Sequence, residues 1–157
     1  MKNPPEAHLY IADMIRIADN NSKPDMLGFL PGNKFSVTLT SDSDEPSREF
    51  PIGIRDLCFF IWVKESIVGY PQTFEIIAPD GKSIFPEPLK ISNEEYELAP
   101  GAVNALINLP GFPVLGFGEY KANVVFSKHT YNFSFNVEKT VSATGQNFKR
   151  PVLENKN

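Results

Sequence analysis

GEYKANVVFSKHTYNFSFNVE, residues 118–138, changes face at nearly every step. Tyr120, Ala122, Val124 and Phe126 fall on one side of an extended chain, with Lys121, Asn123 and Ser127 on the other; Val125 alone breaks the rule. Beyond the tip, Tyr131, Phe133, Phe135 and Val137 alternate with Asn132, Ser134, Asn136 and Glu138. A period of two is that of a half-buried strand, so the segment reads as an antiparallel hairpin giving one face to a core. A reversal at Lys128 and His129 sets Phe126 against Tyr131, Val124 against Phe133, Ala122 against Phe135 and Tyr120 against Val137, and a one-residue slip would lose all four pairs. Lys-His is a poor two-residue turn, and a four-residue loop from Ser127 to Thr130 serves the same register better.

Working outward, fourteen prolines and ten glycines cut the rest of the chain into short apolar segments, the punctuation of an all-β domain. KFSVTLT (34–40) puts Phe35, Val37 and Leu39 on one face, and VNALINL (103–109) does the same with Val103, Ala105, Ile107 and Leu109. LCFFIWV (57–63) is apolar on both faces and suits a central strand covered on each side. TFEIIAPDGKSIF (73–85) reads as a second hairpin: Pro79 presets the first central position of a type I turn, and Gly81 takes the left-handed conformation that follows. AHLYIADMIRIA (7–18) fits both strand and helix spacing, and its three isoleucines favour strand. SNEEYEL (92–98) carries a capping box from Ser92 to Glu95, followed by Pro100 and Gly101, and predicts at most two turns of helix. TSDSDEPSRE (40–49) reads as a polar loop, PGFPVLGFG (110–118) as a loop before the opening hairpin, and the chain after Lys139 as a tail without period. The expected architecture is a two-layer antiparallel β-sandwich, immunoglobulin-like or jelly-roll-like, of seven to nine strands, in one domain spanning 1–139 with a flexible tail at 140–157.

A chain of 157 residues buries roughly 70% of its unfolded surface, so its core needs no metal or disulfide staple. The net charge of -4 and pI near 5.2 supply no basic footprint for phosphate backbones, which sets nucleic acid aside. Cys58 is the single cysteine, so no intramolecular disulfide can form, and no apolar run approaches the length of a membrane-spanning helix. MKNPPEAHLY has prolines where a secretory signal needs its apolar stretch, so a cytoplasmic location is expected and the sequons at Asn20 and Asn132 read as accidental.

No constellation of reactive residues stands out. The two histidines, His8 and His129, lack neighbours at metal-ligand spacing. Asp42, Asp44 and Glu45 suggest calcium, but an EF-hand counted from Asp42 needs glycine at Ser47 and glutamate at Gly53. GFG (116–118) and PGNK (31–34) lack the rest of a dinucleotide or phosphate loop and read as turns. Cys58 lies in the most apolar strand, where burial raises a thiol's pKa and denies it substrate. Trp62 on that strand reads as core, and Asp13 as a structural carboxylate on the face of Leu9, Ile11 and Ile15. Tyr70, Phe112 and Phe117, bracketed by glycine and proline, are the aromatic residues expected to be exposed and form the candidate contact surface.

The order YIADMIRI (10–17), MLGFLPG (26–32), an apolar strand at 57–63, FEIIAPDGKSI (74–84), VNALINLPGF (103–112) and GEYKANVVF (118–126) resembles an uncharacterised family of small bacterial domains of unknown function. The resemblance spans about residues 8–138, implies a β-sandwich, and brings no catalytic residues; the polar insertion at 40–49 has no counterpart in the family pattern. The function expected is that of a non-enzymatic interaction or accessory module, with a protein partner or self-association and without cofactor or metal. A carbohydrate-type ligand stacking on Trp62, Tyr70 or Phe117 is the alternative. An enzyme built on Asp13 or the 42–45 carboxylates with His8 is the third class.

Overall fold

In the computed structural model, residues 5–17, 24–39, 45–54, 56–64, 69–91 and 103–141 are described. Its chain is all-β, and among these residues the only helical element is a 3-10 turn at Pro31–Asn33. LCFFIWV forms the central strand that its two apolar faces predict. This strand, β6 (Leu57–Val63), lies between β1 (Ala7–Ala12) and β9 (Val103–Leu109), antiparallel to both. Leu57, Phe59, Ile61 and Val63 point to one side and are fully buried; Cys58, Phe60 and Trp62 take the other.

A five-stranded sheet, curled into a half-barrel, runs in the order β4 (Lys34–Leu39), β12 (Thr130–Val141), β11 (Gly118–Phe126), β7 (Pro71–Ile77), β8 (Leu89–Lys90). All its neighbours are antiparallel except β4 and β12, which are parallel. Two smaller pairs complete the fold: β2 (Met14–Ile17) with β3 (Pro24–Leu27), and β5 (Ile52–Gly53) with β10 (Pro113–Val114). The inner faces of the two larger sheets share one core. Phe59 of the three-stranded sheet lies 5.5 Å, centroid to centroid, from both Phe74 and Phe135 of the five-stranded one. Phe112 fills the space between Phe35, Phe59, Tyr120 and Phe135.

Among the described residues twelve strands are found where seven to nine were expected. Three are two-residue pieces, of which β10 lies in the stretch read as a loop at 110–118, and one arises because the run from Ala7 to Ile17 is not continuous: it is strand, but broken at Asp13. Asp13 turns its backbone N–H to the carbonyls of Leu27 and Gly28. Gly28 (φ 65°) permits this approach, since a Cβ there would run into the Asp13 carboxylate. The break also separates residues expected on one face, since Ile11 enters the main core while Ile15 packs with Ala12, Cys58 and Phe60 on the other side of the sheet.

The hairpin at 118–138 has the predicted faces but not the predicted register. Tyr120 stands opposite Phe135, Ala122 opposite Phe133 and Val124 opposite Tyr131, two residues away from the pairing read from the sequence. The tip closes on Ser127 and Lys128, with the Phe126 N–H donating to the His129 carbonyl at 2.7 Å. A two-residue shift keeps every side chain on its face, so alternation cannot separate the two registers. The stack of Tyr120 on Phe135 (5.3 Å) and the irregularity against β7 at Val125 and Phe126 accompany the observed one. The second hairpin turns as expected: the Gly81 N–H reaches the Ala78 carbonyl, the Ala78 N–H reaches the Lys82 carbonyl, and Gly81 has φ 80°. The last strand runs two residues past Lys139, because Thr140 and Val141 pair with Thr38 and Leu39. The helix expected at 92–98 and the tail from 142 lie outside the described residues.

Candidate functional site

The outer face of the three-stranded sheet is apolar and only partly covered. Register sets His8 opposite Trp62, Tyr10 opposite Phe60 and Ala12 opposite Cys58, with Leu106 and Asn108 following on β9. The β2–β3 hairpin folds over one end of this face. Ile15 (6% exposed) and half-buried Met26 pack into the cluster of Ala12, Cys58 and Phe60, whose rim is Tyr10, Trp62 and Leu106. Beneath it, the Cys58 thiol donates to Asn108 Oδ1 at 2.8 Å, and burial pushes its pKa up. A protonated thiol bound in this way packs and does not attack.

The hairpin itself carries apolar side chains outward. Met14 is 42% exposed, Leu27 56%, and Phe29, just past β3, 46%. They make up three of the five exposed large hydrophobic residues of the described chain, the others being Phe50 and Tyr70. Phe29 reaches Tyr10 at 6.2 Å between centroids; Tyr10 in turn contacts His8 (6.2 Å) and Phe60 (6.3 Å), and His8 stacks with Trp62 (5.8 Å, 25°). A polar group closes the far end, where Glu6 holds His8 Nε2 at 2.9 Å and Lys64 Nζ at 3.8 Å. The resulting surface can bind by apolar burial and ring stacking, with charge at one margin.

The three residues expected to form a contact surface are not brought together. Tyr70 is 70% exposed beside the tip of the β11–β12 hairpin, where its carbonyl accepts the Ser127 N–H. Phe117 precedes the opposite end of β11, about 27 Å away at strand rise, and is half-buried against the core. Phe112 is fully buried, so it is a core residue rather than a surface one: glycine and proline neighbours mark a loop, but this loop folds inward between the two larger sheets. Trp62, read as core, stands half-buried on the outer face.

Of the acidic loop, Asp42 and Asp44 lie outside the described residues, and Glu45 pairs with Lys139 at 2.6 Å. Among the described residues no group of three or more His, Cys, Asp and Glu side chains gathers as a metal site would require. The same polar segment contributes Arg48, which docks on the β7 turn. Its Nε and Nη2 grip the two Asp80 carboxylate oxygens at 2.8 and 2.9 Å, and Nη1 reaches the Ser83 carbonyl at 2.8 Å. The Arg48 bond is the largest cause holding Asp80 down to a pKa of about 2.

Sequence reasoning missed Met14, Leu27 and Phe29. The available signal was MLGFL (26–30), where apolar residues crowd around a glycine without alternation, as they would if not all were destined for one core. No helix among the described residues is long and apolar enough to cross a membrane. Compared with models of known protein families and with curated protein sequences, the chain matches none.

Proposed function

We propose that this chain is a non-enzymatic binding module built on an immunoglobulin-like β-sandwich, and that it works by contact with another protein. The strand orders support the fold. The order β1-β6-β9 corresponds to strands A, B and E of that architecture and β12-β11-β7-β8 to G, F, C and C′, with β4 added beside the last strand. Tyr120 supports it too. It sits near the start of the F-equivalent strand, donates its hydroxyl to the Gly116 carbonyl at 2.7 Å and accepts from the Leu115 N–H at 3.1 Å, in the manner of a tyrosine corner. The disulfide of antibody domains has no counterpart in a chain with one cysteine. The resemblance to an uncharacterised bacterial β-sandwich family belongs to the same proposal.

The observation that carries the contact reading is the concentration of exposed apolar side chains, Met14, Leu27 and Phe29, on one hairpin and its exit. Surface changes there cost little stability, within about 0.5 kcal/mol each, so binding can be tested with the fold intact. The tagged full chain is recovered from its native host beside the double variant Met14→Asp/Leu27→Asp. Loss of co-purifying protein from the variant is expected. Identical co-purifying sets would overturn the reading.

A carbohydrate-type ligand is the second reading, favoured by the His8–Trp62 stack with Glu6 and Lys64 at its margin. Trp62 is the single tryptophan, so a sugar that quenches intrinsic fluorescence would select this reading, and silence across a sugar panel would remove it.

A further inference from the structure

The outward face of the β2–β3 hairpin is self-complementary. Pairing sets Met14 opposite Leu27 and Arg16 opposite Asp25. Alternate residues of a strand share a face, so these four lie on the side away from Ile15 and Met26. All four are exposed. Because Ile15 and Met26 are seated against Cys58 and Phe60, this face looks away from the sheet that the hairpin covers.

Two perpendicular two-fold axes can bring such a face against a copy of itself. An axis running along the hairpin, midway between its strands, lays each β2 residue over the β3 residue at the same level of the second copy. Met14 then meets Leu27, and Arg16 meets Asp25, each twice. An axis across the strands would instead set Met14 on Arg16 and Leu27 on Asp25, placing charges against apolar side chains without partners. The charge pattern therefore selects the first.

We propose that the hairpin face binds a second copy of this chain in this two-fold arrangement, with a Met14/Leu27 centre flanked by reciprocal Arg16–Asp25 pairs. The proposal rests on the contact reading above and names its partner. Phe29, beside the exit of β3, adds apolar area at the margin. A patch of this extent gives a weak, concentration-dependent dimer rather than an obligate one.

Sedimentation velocity on the full chain over a wide micromolar range tests it. The wild type should move from 17.6 kDa towards twice that mass as concentration rises. Arg16→Asp and Asp25→Arg each leave two like charges on the face and should sediment as monomers. Their equimolar mixture should recover the heavier species, because the acidic face of one then meets the basic face of the other. Recovery on mixing cannot come from repair within one hairpin, and it requires both variants to be folded. A wild type that stays monomeric throughout, single variants that dimerise like the wild type, or a mixture no heavier than its components would overturn the dimer. If the wild type is monomeric while Met14→Asp/Leu27→Asp still loses a co-purifying protein, the dimer falls and the contact reading stands.

Discussion

Tyr120 is fully buried in a core otherwise made of hydrocarbon, and its hydroxyl is tolerated there because both its hydrogen-bonding roles are filled by backbone. Tyr120→Phe keeps the ring against Phe112 and Phe135 but strands the Leu115 N–H and the Gly116 carbonyl. A loss of about 1–3 kcal/mol is expected, measured by urea unfolding with an unchanged slope. Burial is the largest cause raising the Tyr120 pKa above its ordinary value of 10.0. The folded state therefore holds this proton more tightly than the unfolded state. That contribution is complete below the unfolded pKa near 10 and is lost as pH rises from there through the folded value, so Tyr120→Phe should lessen the alkaline fall in stability.

At the scale of elements, the polar segment at 45–50 is held to the β7 turn by Arg48, whose planar fork matches the Asp80 carboxylate. The Asp80 pKa is depressed, so the stabilising contribution is present above the unfolded carboxylate value near 3.9 and is lost as pH falls through about 2. Arg48→Ala should return the Asp80 carboxyl to the ordinary range, seen as a shifted midpoint in its NMR titration. An unchanged midpoint would mean that the Lys82 N–H, also bonded to Asp80, does the work alone. Both partners are exposed, so the pair serves to position the segment more than to stabilise the fold. Elements also set how far the sequence could be read. The faces of β11 and β12 follow directly from alternation, yet their register slipped by two, since apolar residues two apart are interchangeable to that pattern. The break at Asp13 depends on a contact with Gly28, fifteen residues further on, which neither local propensity nor period encodes.

Across the whole molecule, Phe135 ties the two larger sheets together through Phe59 while touching Phe35 and Tyr120 on its own sheet and Phe112 in the gap between the two. Phe135→Ala should cost about 3–5 kcal/mol. Trp62 fluorescence, which reports the three-stranded sheet, and far-ultraviolet dichroism, dominated by the larger one, should move to lower denaturant together. Separate transitions would mean that the sheets do not share one cooperative core.

Alternation, proline and glycine punctuation, and the doubly apolar run at 57–63 determined by themselves that this chain is all-β, which strand is central and which side chains of the alternating strands at 34–40, 103–109 and 118–138 face inward. These are local properties, written in the order of residues one and two apart. The tertiary structure alone decided what remains at the surface. Phe112 and Leu27 look alike to any local rule, each apolar and close to a glycine, but one loop folds into the gap between two sheets while the hairpin bearing the other has its inner face already filled by Ile15 and Met26. Which hydrophobic residue is left for a partner depends on how much of the opposing surface the rest of the chain has already covered, and that is a sum over contacts distant in sequence.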